Sequence, residues 1–211
     1  MIPLLNIKCH MFKDIGTSEQ VEQLKRDVLF LAESTPDVTM NSNAGCWRSP
    51  QITHHLSPID VTWLVQKVEE NVNHVINYHM ANDERYQKKI ENSNVTRLIW
   101  EYWMNVNEPG SVNELHAHTP MQWAAVYYIQ AEGTGALKFK HPANVINNCN
   151  IMGLDIEDVL IHPTDNTLLI WPGWYPHAVL ENTSDKQRIN LAWNLNLEED
   201  IQPGSDENFI S

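Results

Sequence analysis

From Thr96 to Leu197 the chain is written as seven short runs: TRLIWEYWMNV, WAAVYYIQ, GALKFK, DVLIHP, TLLIWP, HAVLE and QRINLAWNLNL. Each is rich in β-branched and aromatic residues, and Gly, Pro, Asn and Asp stand between them. That pattern reads as short strands separated by turns. Seven such strands in succession predict an all-β second half built as a sandwich or jelly roll.

The first half is patterned differently. In TSEQVEQLKRDVLFLAES, residues 17–34, Val21, Leu24, Val28 and Leu31 recur at helical spacing behind a Thr17/Ser18 cap. A second helix is expected from Ser57-Pro58, a cap followed by proline at the first helical position. Val61, Leu64, Val65, Val68, Val72, Val75 and Ile76 would lie on one of its faces. No Gly-, Ser- or Pro-rich linker divides the halves, and 211 residues suit one well-cored domain. The expected organisation is a single domain over 1–211, with helices in about 1–92 packed on one sheet's outer face. The jelly-roll core would occupy about 94–197, and 198–211 would be a loosely ordered acidic tail.

Fourteen Lys and Arg against twenty-seven Asp and Glu give a net charge of -13, which repels phosphate backbones and anionic lipid. Nucleic acid and membrane are therefore not expected partners. Cys9, Cys46 and Cys149 show no CxxC spacing, so neither a disulfide framework nor a zinc knuckle is expected. With no signal-like N-terminal run and no eighteen-residue apolar stretch, the expected location is the cytoplasm.

Two histidines, His116 and His118, stand one residue apart just before WAAVYYIQ. Side chains alternate faces along extended chain, so both project the same way and two imidazoles can converge on one metal. His177 follows the Pro-Gly-Trp-Tyr-Pro turn, 59 residues beyond His118, and Arg188 opens the last strand eleven residues later. If those last two strands pair as a hairpin across ENTSDK, His177 and Arg188 enter one pocket at different depths. A metal near the mouth and a cation further in suit a dicarboxylate held at both ends. Tyr127, Tyr128, Trp103 and Asn105 are candidate pocket residues. Asn194, a polar residue in a strand dominated by Leu, Ala and Trp, is another.

This ordered set resembles the iron(II)/2-oxoglutarate-dependent oxygenases, most closely a prokaryotic and phage branch. That branch reads H-x-H, then SGVYY, then G-x-L-x-x-F-P-S-W-x-x-H and R-I-S-I-S-F-N. The corresponding stretches here are His116-Ala117-His118, Ala124-Ala125-Val126-Tyr127-Tyr128, Asn166 through His177, and Arg188-Ile189-Asn190-Leu191-Ala192-Trp193-Asn194. Upstream, Ser42-Asn43 through Gly45-Cys46-Trp47-Arg48-Ser49 is similar to the branch's S-N-x-G-G-W-x-S, and Trp103-Met104-Asn105-Val106-Asn107 to its W-x-N-x-N.

The resemblance implies a double-stranded β-helix, the cupin-like jelly roll, that uses Fe(II) and 2-oxoglutarate to hydroxylate a substrate while 2-oxoglutarate is decarboxylated to succinate. It implies His116, His118 and His177 as metal ligands and Arg188 as partner of the distal carboxylate of 2-oxoglutarate. Asn190, Asn105 and Tyr128 would complete the cosubstrate site. The pattern departs from most such oxygenases at the second ligand, where a carboxylate usually stands. Here either three histidines bind the metal, or Glu114, two residues before His116, supplies the carboxylate. Two other readings stay open at this point: a non-catalytic jelly-roll module that binds a ligand, and a three-histidine cupin dioxygenase that does not use 2-oxoglutarate.

Overall fold

A computed structural model gives the structure of residues 8–37, 43–52, 56–81, 95–141 and 158–199. Cys149, His54, His55 and the acidic tail beyond Glu199 lie outside the described residues. The order of elements is β1 (His10–Lys13), α1 (Ser18–Ser34), β2 (Asn43–Arg48), α2 (Thr62–Ala81), β3 (Val95–His116), β4 (Trp123–Gln130), β5 (Leu137–Phe139), β6 (Val159–Ile161), β7 (Thr167–Pro172), β8 (His177–Val179) and β9 (Arg188–Glu199). All seven expected strands are present. The sequence reading missed β1 and β2, which are short and lie among helical segments.

Helix α1 starts where expected, because Thr17 and Gln20 form a reciprocal capping box: the Thr17 amide donates to Gln20 Oε1 and the Gln20 amide to Thr17 Oγ1. Helix α2 begins later than Ser57-Pro58. Its first amide, Thr62 N, donates to Asp60 Oδ1 at 2.9 Å, and Pro58 lies in the bend before it. A side chain closer to the helix thus supplies the cap.

The strands curl into an antiparallel jelly roll. A large sheet runs β1-β7-β4-β9-β3, with β2 added on β3, and a small sheet runs β8-β5-β6. Strand β3 joins them. Its first part pairs with β9, Asn105 opposite Asn190 and Asn107 opposite Arg188, and its last part pairs with β8, His116 opposite His177. The change of partner follows Pro109-Gly110, where Gly110 takes φ +84°. Proline lacks an amide for the ladder and glycine accepts the left-handed backbone, so the strand can turn from one sheet to the other. The expected strand stops at Val106 because Glu-Pro-Gly reads as a turn; here it is a bend inside a longer strand.

This pairing corrects the expected hairpin. Strand β8 pairs with β3 and β5, and β9 with β3 and β4, so β3 lies between the two elements that carry His177 and Arg188.

Strand alternation sorts the large sheet into two faces. Tyr102, Met104 and Val106 of β3, Ile189, Leu191 and Trp193 of β9, and Tyr127 of β4 bury against Val21, Leu24 and Val28 of α1 and Leu64, Val68, Val72 and Val75 of α2. On the opposite face Ala124, Val126 and Tyr128 of β4 and Leu169 and Trp171 of β7 meet Leu137 and Phe139 of the small sheet. The intervening space between the sheets holds the site. Among the described residues no helix is long and apolar enough to cross a membrane.

Candidate metal centre and its cavity

His116 closes β3, His177 opens β8 directly opposite it, and His118 follows in the loop to β4. One ring nitrogen from each lies within 4.8 Å of the other two, and no other such group of His, Cys, Asp or Glu occurs among the described residues. Each Nδ1 faces an oxygen that can only accept. His116 Nδ1 donates to the Glu114 carbonyl at 2.7 Å and His177 Nδ1 to the Tyr175 carbonyl at 2.9 Å. His118 Nδ1 donates to Asn194 Oδ1 at 2.7 Å, an orientation fixed because Asn194 Nδ2 donates to Glu101 Oε1 at 3.0 Å.

With all three protons on Nδ1, the three Nε2 lone pairs are left for the space between the rings. His118 Nε2 and His177 Nε2 face each other at 3.3 Å. Burial, with the neighbouring His116 as the second cause, pushes the His177 pKa down to about 3 and that of His118 to about 4; His116 is lowered too, chiefly by burial. All three rings are therefore neutral near pH 7, which is the form that ligates a cation. Two opposed lone pairs in a buried place, each held by an acceptor behind it, fit a bound metal ion.

Glu114 is exposed and lies outside both the histidine group and the cavity lining. Only its backbone carbonyl takes part, by setting the tautomer of His116. Two strand positions from His116 do not bring its carboxylate round, because the β3 ladder is irregular between Asn113 and His116.

The cavity beside the histidines measures about 490 Å³. Arg188, Asn190, Asn105, Tyr128, Trp103 and Asn194 all line it. Register accounts for this: Asn105 on β3, Asn190 on β9 and Tyr128 on β4 form one cross-sheet row, and directly opposed residues share a face. Tyr127 falls on the other face. Its hydroxyl donates to Asn166 Oδ1 at 2.9 Å and its ring meets the edge of Trp63, so it belongs to the helix-facing core and not to the pocket.

Arg188 is 1% exposed. One terminal nitrogen, Nη1, donates to the Thr134 carbonyl at 2.6 Å; the other, Nη2, is buried without a hydrogen-bond partner. Asn105 Nδ2 donates to Asn190 Oδ1 at 2.8 Å, while Asn105 Oδ1 and Asn107 Oδ1 are likewise unpaired. Unsatisfied buried polar atoms are rare in folded proteins, and a cluster of them around one cavity marks a place for a polar ligand. Trp103 stacks on His118, with ring centroids 5.9 Å apart and planes at 22°. Arg48, absent from the sequence-derived set, lies over the Trp103 ring with its guanidinium carbon 4.3 Å from the ring centroid. Its only sequence signal was its place in the Gly-Cys-Trp-Arg-Ser stretch.

Residues 101–194, which carry the three histidines and Arg188, match the family model described as "Putative 2OG-Fe(II) oxygenase". The chain carries a 2OG-Fe(II) oxygenase domain. Among solved structures the oxygenase is similar to a prolyl-4-hydroxylase from Pseudomonas putida, at 14% identity and TM-score 0.59, over 90% of this chain and 92% of that one. It is also similar to a Trichoplax adhaerens prolyl hydroxylase in complex with a hypoxia inducible factor peptide fragment, at 14% identity and TM-score 0.55, covering 89% and 82%. Streptomyces hygroscopicus HygX, solved with nickel and 2-oxoglutarate, gives 14% identity and TM-score 0.54, with the same coverage of 89% and 82%. At such identities the likeness is one of fold. No curated protein matches the oxygenase by sequence.

Proposed function

We propose that this protein hydroxylates a small-molecule or peptidyl substrate, using Fe(II) held by His116, His118 and His177 and 2-oxoglutarate held by Arg188. The observation that carries this reading is the pairing, in one cavity, of three inward Nε2 lone pairs with a buried guanidinium nitrogen that lacks a partner. A dicarboxylate with one end at the metal and the other at Arg188 would satisfy both. Fe(II), when bound, supplies the activation of dioxygen that couples oxidation of a C–H bond to conversion of 2-oxoglutarate into succinate and carbon dioxide.

The chain's own contribution is position and environment. Thr134 fixes one arm of the Arg188 fork, so the other is pre-set for a carboxylate oxygen. Tyr128, opposite Asn190 and buried beside Arg188, adds a hydroxyl that burial keeps protonated, with its pKa raised. Asn105 and Asn190 supply amide groups on the same face. Leu137, Val126 and Trp171 supply apolar walls that limit water around the reacting groups.

The test is iron-dependent formation of succinate from 2-oxoglutarate, in slow uncoupled turnover or with candidate acceptors. Arg188→Ala is expected to keep metal binding and lose 2-oxoglutarate binding. A three-histidine dioxygenase that needs no 2-oxoglutarate would instead keep its activity in that variant. Failure of wild-type protein to bind metal, with succinate formation absent, would leave a ligand-binding module.

A further inference from the structure

Arg48 has no task in the cosubstrate site. It stands on β2 opposite Asn105, in the row that continues to Asn190 and Tyr128, so it shares their face and lines the same cavity. Arg188 lies on β9, two strands away and two register positions along; at roughly 4.8 Å per strand and 3.3 Å per residue their backbones are about 12 Å apart. Their heads also have different surroundings. The Arg188 guanidinium is tied to Thr134, whereas that of Arg48 lies on Trp103, which itself stacks on His118. Arg48 therefore serves the metal end of the cavity.

The side chain is 6% exposed. Among the described residues its guanidinium has no hydrogen-bond acceptor and no ion pair within 4.0 Å; it rests on the Trp103 ring. The nearby Glu101 favours the charged form, but Glu101 Oε1 is already engaged by Gln51 Nε2 at 2.8 Å and Asn194 Nδ2 at 3.0 Å. A guanidinium laid on a π-face at the wall of an open cavity keeps its N–H donors for an anion that enters there.

Charge balance points the same way. Fe(II) and the 2-oxoglutarate dianion cancel, and three neutral imidazoles bring no negative charge where a carboxylate ligand would. Arg188 and Arg48 then leave two positive charges against the single carboxylate of Glu101. An acceptor with one negative charge neutralises the cavity.

We propose that Arg48, seated on Trp103, binds a carboxylate of the acceptor molecule and so selects carboxylate-bearing substrates. This rests on the functional reading above, since Arg48 is taken to face the acceptor and not 2-oxoglutarate. A carboxylate fits better than a phosphate ester, because one guanidinium fork matches one carboxylate edge and, among the described residues, no second basic group stands beside it.

The experiment uses the full chain loaded with nickel(II), followed by calorimetry in two stages. In the first, 2-oxoglutarate is titrated into wild type, Arg48→Gln and Arg188→Gln. Retained affinity in Arg48→Gln, within about twofold, with loss in Arg188→Gln is expected, and also reports that Arg48→Gln is folded. Loss in Arg48→Gln with the metal still bound assigns Arg48 to the cosubstrate and overturns the proposal while leaving the proposed function intact. Failure of wild type to bind 2-oxoglutarate overturns that function instead.

In the second stage, protein saturated with 2-oxoglutarate is titrated with a panel of N-acetylated amino acids, their primary amides, and O-phospho-N-acetylserinamide. At least one carboxylate is expected to bind about tenfold or more tighter than its amide, and that margin should vanish in Arg48→Gln and partly return in Arg48→Lys. Equal binding of acids and amides by wild type, no binding of any acid, or tighter binding of the phosphate ester overturns the carboxylate assignment. The wild-type comparison holds even if both variants prove unstable.

Discussion

His118 and His177 turn their Nε2 atoms toward each other at 3.3 Å while each Nδ1 proton is taken by an oxygen behind the ring. In the absence of a cation the two lone pairs repel, so the folded chain gains when a metal binds between them. Ligand binding stabilises by RT ln(1 + [L]/Kd), about 2.7 kcal/mol at a hundredfold excess over Kd. For a chain of this size that corresponds to a rise in Tm of roughly 5–10 °C. Thermal melts with and without nickel(II) should show this rise, and chelator should reverse it. His177→Ala should show none; an equal rise in that variant would place the metal elsewhere.

Asn194 links His118 to Glu101, and the link fixes which nitrogen of His118 carries the proton. Replacing a hydrogen-bonding partner behind a metal ligand costs about 10–100-fold in metal affinity. Asn194→Leu should fall in that range by nickel titration. Glu101→Gln, which keeps the size but can turn Asn194 round, should lose less. An unchanged affinity in Asn194→Leu would remove Asn194 from the support of the site.

Arg188→Lys tests the fork and not the charge. A lysine keeps the positive charge but offers no paired donors to Thr134 and a carboxylate together. Affinity for 2-oxoglutarate should drop by about tenfold or more, with nickel affinity unchanged, in calorimetry of the metal-loaded protein.

Gly173 carries the turn between β7 and β8 against the loop that holds His118. Its amide donates to the Gln122 carbonyl and its carbonyl accepts from the His118 amide at 2.7 Å, while a Cβ there would come within 2.4 Å of the Met121 carbonyl oxygen. Backbone must move to admit it. Gly173→Ala should cost about 1–3 kcal/mol in urea unfolding and weaken nickel binding as well. Loss of stability alone would mean that the turn supports the fold without setting His118.

Adjacent tyrosines offer a matched pair. Tyr127→Phe removes the bond to Asn166 on the helix face and should cost about 1 kcal/mol of stability, with metal and 2-oxoglutarate binding intact. Tyr128→Phe, on the cavity face, should instead weaken 2-oxoglutarate. Calorimetry and urea titration on both variants separate the two effects.

Much of the architecture was legible because its causes are local. Alternation along QRINLAWNLNL places Arg188, Asn190 and Asn194 on one face, and the structure keeps them there, facing the cavity. The same holds for the capping box at Thr17 and the apolar stripe of α1. Alternation also separates Tyr127 from Tyr128, but not which of the two faces the cavity.

Partner choice was not legible, because strand pairing joins residues far apart in the chain and no local pattern encodes it. The tertiary structure placed β3 between β8 and β9, bent it at Pro109-Gly110, and so set His116 against His177 and Arg188 beside Asn107. It also decided that Glu114 contributes a carbonyl and not a carboxylate, and that Asn194 orients His118. Arg48 reached the cavity only through the pairing of β2, an element that the sequence did not announce. By itself the sequence determined which residue types share a face; which faces meet was settled by the long-range pairing that the buried apolar surface stabilises.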